Sequence, residues 1–247
     1  PDYHMPPDSR KYAVVIGIES YQSLPKADFA RRDAKDVYLH LVALGYEKRH
    51  IQYLRDGQAT KSLLKAIFED WLPKNVDPHP GSEVFVYFSG HGAPNEGTHH
   101  AYLVPWDGNP EFLKDTGFSL TRLYSDLGKL HGKVIVALDS CFSGAGGRSV
   151  LAKGARPLVT RIETPLIARS SNLTVLAAAQ ANQISTSDEE HGHGTFTYYL
   201  LQEMNRTKGK TTVGQLYRYV KPKVEDAARL QNGTQTPQLF GSGNGRL

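Results

Sequence analysis

The chain has 247 residues, of which 39% are hydrophobic and 22% charged, with a formal net charge of +4. That length can bury a sizeable core, and the composition is that of an ordinary globular protein, not a disordered or fibrous one. No apolar run approaches the roughly 18 residues of a membrane span, no signal-peptide core is present, and a single cysteine, Cys141, excludes an intrachain disulfide framework and any multi-cysteine zinc site.

Residues 1–10 are polar with three prolines and read as a loose arm. Residues 12–18 form a first buried strand. Residues 28–44 are helical in pattern, with Ala30, Ala34, Val37, Leu41 and Leu44 on one face and Gly45 where a C-cap belongs. A short strand at 51–54 follows. Thr60 is placed to N-cap a helix through Leu72, which Pro73 is expected to end. After a loop at 74–82, a β-branched and aromatic run, residues 84–88, stops at Ser89-Gly90-His91-Gly92.

Residues 93–117 read as a long loop, with 101–104 as a candidate short strand. A helix at 119–129 leads to a second apolar run, 134–138, which stops at Asp139-Ser140-Cys141-Phe142-Ser143-Gly144. Residues 143–170 are rich in Gly, Ser, Arg and Lys and read as an exposed, mobile loop. A strand at 172–179, a polar loop at 182–194, helices at 195–205 and 213–230, and an edge strand at 238–240 complete the chain. Strands alternating with helices predict an α/β fold: a mostly parallel sheet of about six strands with helices on both faces, a three-layer sandwich. The segment after the mobile loop supplies another core strand, so residues 11–247 read as a single domain. The first residue is proline, which reads as an excised domain or mature fragment and leaves the compartment open, cytoplasmic or exported.

If the strands before His91 and Cys141 are parallel neighbours, both turns open on one sheet edge, where α/β sheets build their sites. One imidazole then meets one thiol, the minimal equipment for a cysteine nucleophile with a general base. A lone cysteine is more often an inert core residue, and an ordinary thiol is mostly protonated at neutral pH. The setting argues otherwise here. The histidine lies about 50 residues upstream of the cysteine, the spacing known for caspases. Gly92 has no Cβ, so its N–H can approach a developing oxyanion closely.

The segments Ser89-Gly90-His91-Gly92 and Asp139-Ser140-Cys141-Phe142-Ser143-Gly144, with the strand 12–18 before them, resemble the caspase-like cysteine peptidases, most nearly the metacaspases and bacterial caspase-like proteins. The resemblance runs from about Tyr12 to Phe240. It implies a caspase–hemoglobinase fold, a Cys141–His91 dyad, peptide hydrolysis through an acyl-enzyme, the N–H of Cys141 as a second oxyanion donor beside that of Gly92, and a monomer.

Asp139 lies two positions before Cys141, so the strand period carries both side chains to one side. In animal caspases the resemblance implies a glutamine there, in a pocket completed by arginines for aspartate. In metacaspases it implies an aspartate and a pocket for arginine or lysine. Asp33, in Ala30-Arg31-Arg32-Asp33-Ala34, resembles the metacaspase segment that completes that pocket, although Ala30 replaces the usual cysteine. Two carboxylates favour a bidentate guanidinium, so arginine at P1 should serve at least as well as lysine. Arg31 and Arg32 keep an acid-specific pocket as an alternative, although solvation, or pairing with Asp28 and Asp36, is the plainer reading. Gln183 and Ser185 belong to a segment that resembles another pocket wall, and Asp188, Glu189 and Glu190 read as a solvated run able to favour basic residues further along a substrate.

No metal or other cofactor is expected. Many metacaspases use calcium through several aspartates, but Arg148 stands where one of them falls, and Asp107 and Asp115 lack EF-hand spacing. His99-His100 and His191-Gly192-His193 lack zincin spacing and read as loop histidines, and His131 as a surface residue. The expected partner is a protein or peptide substrate. Basic residues are densest at Lys26, Arg31, Arg32, Lys35 and 148–169, without interleaved aromatics, so no nucleic-acid partner is expected. Arg148, Lys153, Arg156, Arg161 and Arg169 offer a basic-specific peptidase a place to cut itself. A catalytically silent caspase-like scaffold remains the alternative of a different class.

Overall fold

A computed structural model describes residues 1–94, 100–143, 150 and 165–247. The first strand, β1, is Lys11–Gly17; the helix α1 is Ala30–Ala43; β2 is Ile51–Arg55. α2 (Lys61–Ala66) continues through a π turn at Ile67–Trp71 into α3 (Leu72–Val76), and β3 is Glu83–Ser89. β4 (Gly92–Pro94), β5 (Ala101–Leu103), the single turn α4 (Leu113–Thr116) and β6 (Phe118–Ser119) follow. Then come α5 (Leu120–Gly128), β7 (Lys133–Asp139), the short α6 (Pro165–Arg169) and β8 (Leu173–Ala177). A two-stranded hairpin, β9 (Ser187–Asp188) and β10 (His193–Gly194), precedes α7 (Thr195–Thr207), α8 (Val213–Leu230) and β11 (Gln238–Phe240).

The main sheet has six strands in the order β11-β8-β7-β3-β1-β2, parallel throughout except for the edge strand β11. Its strands are apolar on both faces, as a sheet covered on both sides requires. On one face Ile16, Val86, Phe88, Val136 and Leu138 pack with Phe68 of the π turn, Leu72 of α3 and Leu123 of α5. On the other, Val15, Phe85, Tyr87, Ile135 and Ala137 pack with Val37 of α1, Phe196 of α7 and Val220 of α8. The alternation of period two therefore assigns a face to every strand residue. Ser89 and Asp139 continue the rows of Phe85–Tyr87 and Ile135–Ala137 and face α1 and α7.

Four expectations change in the structure. Pro73 does not end its helix, because the preceding π turn shifts the hydrogen-bond ladder, so the missing proline N–H is accommodated and the chain stays helical to Val76. Residues 1–10 are not loose. Met5 N–H donates to Ala43 O at 2.7 Å, Asp8 N–H to Gly45 O at 2.9 Å, and Asp2 N–H to Asn205 Oδ1 at 2.8 Å. The long loop at 93–117 holds the expected short strand as β5 but also contributes β4, which pairs with β5, and β5 pairs in turn with β6 in a second, antiparallel sheet. The polar loop at 182–194 contains the β9–β10 hairpin. The expected mobile loop at 143–170 lies mostly outside the described residues. Among the described residues, no helix is long and apolar enough to cross a membrane.

α1 can lie close against β1 because Gly17 has no side chain. A Cβ there would come 2.5 Å from both Ala30 O and Ala34 Cβ. Gly17→Ala is expected to lower stability by about 1–3 kcal/mol, the cost of overpacking a tight contact. Urea unfolding measures it, and an unchanged midpoint would show that α1 does not depend on this approach.

Candidate active site

Ser89 and Asp139 are Cα partners in the β3–β7 ladder. Two positions further on, His91 and Cys141 leave the sheet next to each other at its carboxyl edge. The two turns are joined directly. Ser140 Oγ donates to Gly90 O at 2.8 Å, and Gly90 N–H reaches Asp139 O at 3.5 Å. Gly92 lies against the backbone of Cys141, where a Cβ would meet Cys141 O at 2.4 Å and the Phe142 ring at 2.6 Å. Any residue but glycine would push the histidine turn away from the cysteine turn.

His91 is buried. Its Nε2 lies 2.7 Å from Pro25 O. A carbonyl can only accept, so Nε2 carries a proton, and in the neutral ring the lone pair is on Nδ1. The backbone N–H of His91 donates to the Tyr21 hydroxyl at 2.7 Å, and the two rings sit 4.8 Å apart. Pro25 and Tyr21 both belong to the segment between β1 and α1.

Cys141 is 1% exposed, yet its sulfur has polar neighbours. Ser185 N–H points at Sγ from 2.5 Å, and Ser185 O is 3.9 Å away. A thiolate accepts such a bond more strongly than a thiol does. The loop that carries Ser185 covers the sulfur. It is held from behind by Gln235, whose Nε2 donates to Ser185 Oγ at 3.3 Å and to Ala178 O at 3.0 Å, while its Oε1 accepts from Thr186 N–H at 2.8 Å.

Asp139 and Asp33 are both fully buried. Asp139 accepts from Ser185 Oγ at 2.9 Å and from Thr197 Oγ1 at 2.5 Å, and Thr197 is in turn 2.6 Å from the Tyr87 hydroxyl. Asp33, carried in by the first turn of α1, accepts from Ser89 Oγ at 3.3 Å and from Gly194 N–H at 3.1 Å. Because Ser89 is the ladder partner of Asp139, the two carboxylates converge on one corner below the histidine and cysteine turns. His193 is not the loop histidine expected from sequence. It is buried, with Nδ1 2.8 Å from Asp33 Oδ1 and Nε2 3.5 Å from Asp36 Oδ2. Asp33 and Asp36 share a face of α1, so one ring spans both.

Other expected site residues lie elsewhere. The Gln183 amide is turned away from the sulfur, bonding Thr236 N–H at 2.7 Å and Thr236 Oγ1 at 3.2 Å; it staples the loop to the segment before β11. Arg31 points outward to Asp56 at 3.5 Å, not to Asp28 or Asp36, and lines an open groove of about 730 Å³ with Arg32, Lys35 and Arg55. Asp188 caps His191, donating atoms being the His191 backbone N–H at 3.0 Å and Nδ1 at 2.9 Å. His100 Nδ1 bonds Thr121 Oγ1 at 3.1 Å, and the His131 side chain is 75% exposed. Asp107 caps Lys61 N–H at 2.9 Å. Among the described residues no group of three or more His, Cys, Asp or Glu could hold a metal ion. Arg148, Lys153, Arg156, Arg161 and His99 lie outside the described residues.

Sequence reasoning missed Pro25, Tyr21, His193, Thr197 and Gln235. A backbone carbonyl leaves no side-chain signature. The others sit in segments whose proximity is set by tertiary packing; the doublet of histidines around Gly192, next to a glycine that itself bonds Asp33, was the one available signal.

Residues 10–246 match the caspase domain family model. No sequence among the curated proteins matches the chain. Solved structures of this fold include two that match over nearly the whole chain. Protein GSU0716 from Geobacter sulfurreducens has a TM-score of 0.66 at 18% identity, over 94% of each chain. Caspase-1 from Spodoptera frugiperda has a TM-score of 0.64 at 14% identity, over 99% of this chain and 93% of its own. At these identities the likeness is one of fold.

Thr197→Val keeps the shape of the side chain and removes one donor from the buried Asp139. It is expected to cost about 1–3 kcal/mol of stability, the penalty of a buried polar group losing a partner. A loss below about 0.5 kcal/mol in urea unfolding would mean that Asp139 does not depend on this network.

Proposed function

We propose, from the premise that the chain belongs to the caspase-domain family, that it is a cysteine endopeptidase cleaving after arginine or lysine. Cys141 is the nucleophile and His91 the base. The observation that carries this reading is the Ser89–Asp139 pairing. It supports both halves of the proposal at once, because the residues after it are His91 and Cys141 and the carboxylates at and beside it are Asp139 and Asp33.

In the proposed reaction, Nδ1 of His91 accepts the thiol proton while Nε2–H stays on Pro25 O. Sγ attacks the scissile carbonyl carbon. The N–H groups of Gly92 and Cys141 hold the oxyanion. The imidazolium returns its proton to the departing amine, leaving a thioester. Water, deprotonated by the same imidazole, then hydrolyses the thioester and frees the thiol. Protons balance within the dyad and water, so the chemistry calls for no cofactor.

Asp139 and Asp33 are the proposed acceptors of the P1 guanidinium. Two buried carboxylates at one corner suit a planar guanidinium, whose paired N–H donors can bond both. Substrate must displace Ser185, whose N–H lies on the sulfur and whose Oγ lies on Asp139. An acid-specific pocket is disfavoured by Arg31, which is turned outward to Asp56. The silent-scaffold reading draws on the burial of Cys141.

Hydrolysis of fluorogenic peptides ending in Arg, Lys or Asp, with and without calcium, separates these readings. Arginyl peptide is expected to be cleaved at least as well as lysyl peptide and aspartyl peptide not at all, with activity lost in Cys141→Ala. Asp139→Asn is expected to lower kcat/KM for the arginyl peptide by about 30-fold or more, the loss of one partner of a buried charge pair. Turnover of the aspartyl peptide alone would overturn the pocket, and no turnover at all would favour the scaffold. Any self-cleavage within 148–169 is expected to vanish in Cys141→Ala.

A further inference from the structure

The histidine turn is held in part by the segment between β1 and α1, through Tyr21 and Pro25. Tyr21 meets His91 twice. Its hydroxyl accepts the His91 backbone N–H at 2.7 Å, and its ring lies 4.8 Å from the imidazole at an interplanar angle of 35°. One contact sets where the His91 backbone lies, and the other limits rotation of the ring. Together with Pro25 O on Nε2, they restrict the orientation of the imidazole.

We propose that Tyr21 is a positioning residue for His91, one that aims Nδ1 at the Cys141 thiol; this rests on the dyad reading above. Gly90 supports it. A Cβ at Gly90 would lie 2.6 Å from the Tyr21 hydroxyl oxygen, so the absence of a side chain there is what lets the phenol reach the turn. A residue serving only to fill space would need no such approach, because phenylalanine fills the same volume without the oxygen.

The loop is anchored independently of that hydroxyl. Ile18 N–H donates to Ser89 O at 2.9 Å, and Glu19 and Ser20 N–H donate to Asp56 Oδ1 at 2.9 and 3.0 Å. Gln22 N–H donates to Trp106 O at 3.2 Å, and Ala27 N–H to Glu19 O at 3.0 Å. Tyr21→Phe therefore removes one oxygen from a loop that keeps its place. What it takes from the histidine turn is the acceptor of the His91 backbone N–H.

The test compares wild type with Tyr21→Phe, and with Tyr21→Leu, which removes the ring as well. Two quantities are read: the His91 imidazole in long-range proton–nitrogen spectra of ¹⁵N-histidine protein, assigned with His91→Gln, and kcat and KM on the arginyl peptide. Wild-type His91 is expected to be protonated on Nε2. Tyr21→Phe is expected to shift the His91 imidazole signals and lower kcat about tenfold, with KM within about twofold, as a displaced catalytic group does. Tyr21→Leu is expected to do at least as much. Imidazole signals that superimpose on wild type, with kcat unchanged, would overturn the proposal. If the wild-type protein cleaves no peptide, the peptidase reading fails on that result alone. The spectra then decide this inference: shifted His91 signals in Tyr21→Phe uphold the positioning, and unshifted ones end it.

Discussion

The parallel pairing of β3 with β7, in the register that sets Ser89 opposite Asp139, is the constraint on which the rest depends. A parallel ladder fixes which residues end level, and strand alternation fixes which face each side chain takes. A slip of one residue would turn Asp139 to the opposite face and separate the two turns. The register is held by buried rows on both sides, Phe85–Tyr87 with Ile135–Ala137 on one face and Val86–Phe88 with Val136–Leu138 on the other. The core thus specifies the site geometry through ordinary burial.

The corner below the histidine and cysteine turns is an unusual concentration of buried polarity. Two carboxylates, four hydroxyls and a histidine ring meet where α1, α7 and the sheet edge converge. Such groups are costly to bury unless they are hydrogen-bonded, and they favour one arrangement when they are. Ser185 belongs both to this network and to the cover over the sulfur. A movement that lifts Ser185 off the sulfur therefore also takes a donor from Asp139.

Much of this was legible in the chain because the informative residues are local. His91 and Cys141 follow recognisable strand ends, and the two-residue step from Asp139 to Cys141 needs only strand geometry. The six-strand, mostly parallel sheet followed from alternating strand and helix patterns. What was not legible depends on contacts between distant segments. Pro25 acts through a carbonyl that every residue possesses, and Asp33 is met by His193 across 160 positions. Local rules also misled in places. Proline commonly ends a helix, but a π turn carried the chain past Pro73. A polar, proline-containing arm reads as loose until its backbone bonds to Ala43 and Gly45 are seen.

The most direct measurement is covalent labelling of the folded protein by a peptidyl-arginine acyloxymethyl ketone, with the modified residue located by mass spectrometry. The account predicts one label per chain, on Cys141, strongly slowed when His91 is replaced by alanine and not obtained with the aspartyl analogue. A sulfur that takes the label only after unfolding in urea would contradict it, leaving Cys141 a core residue that happens to lie next to a histidine.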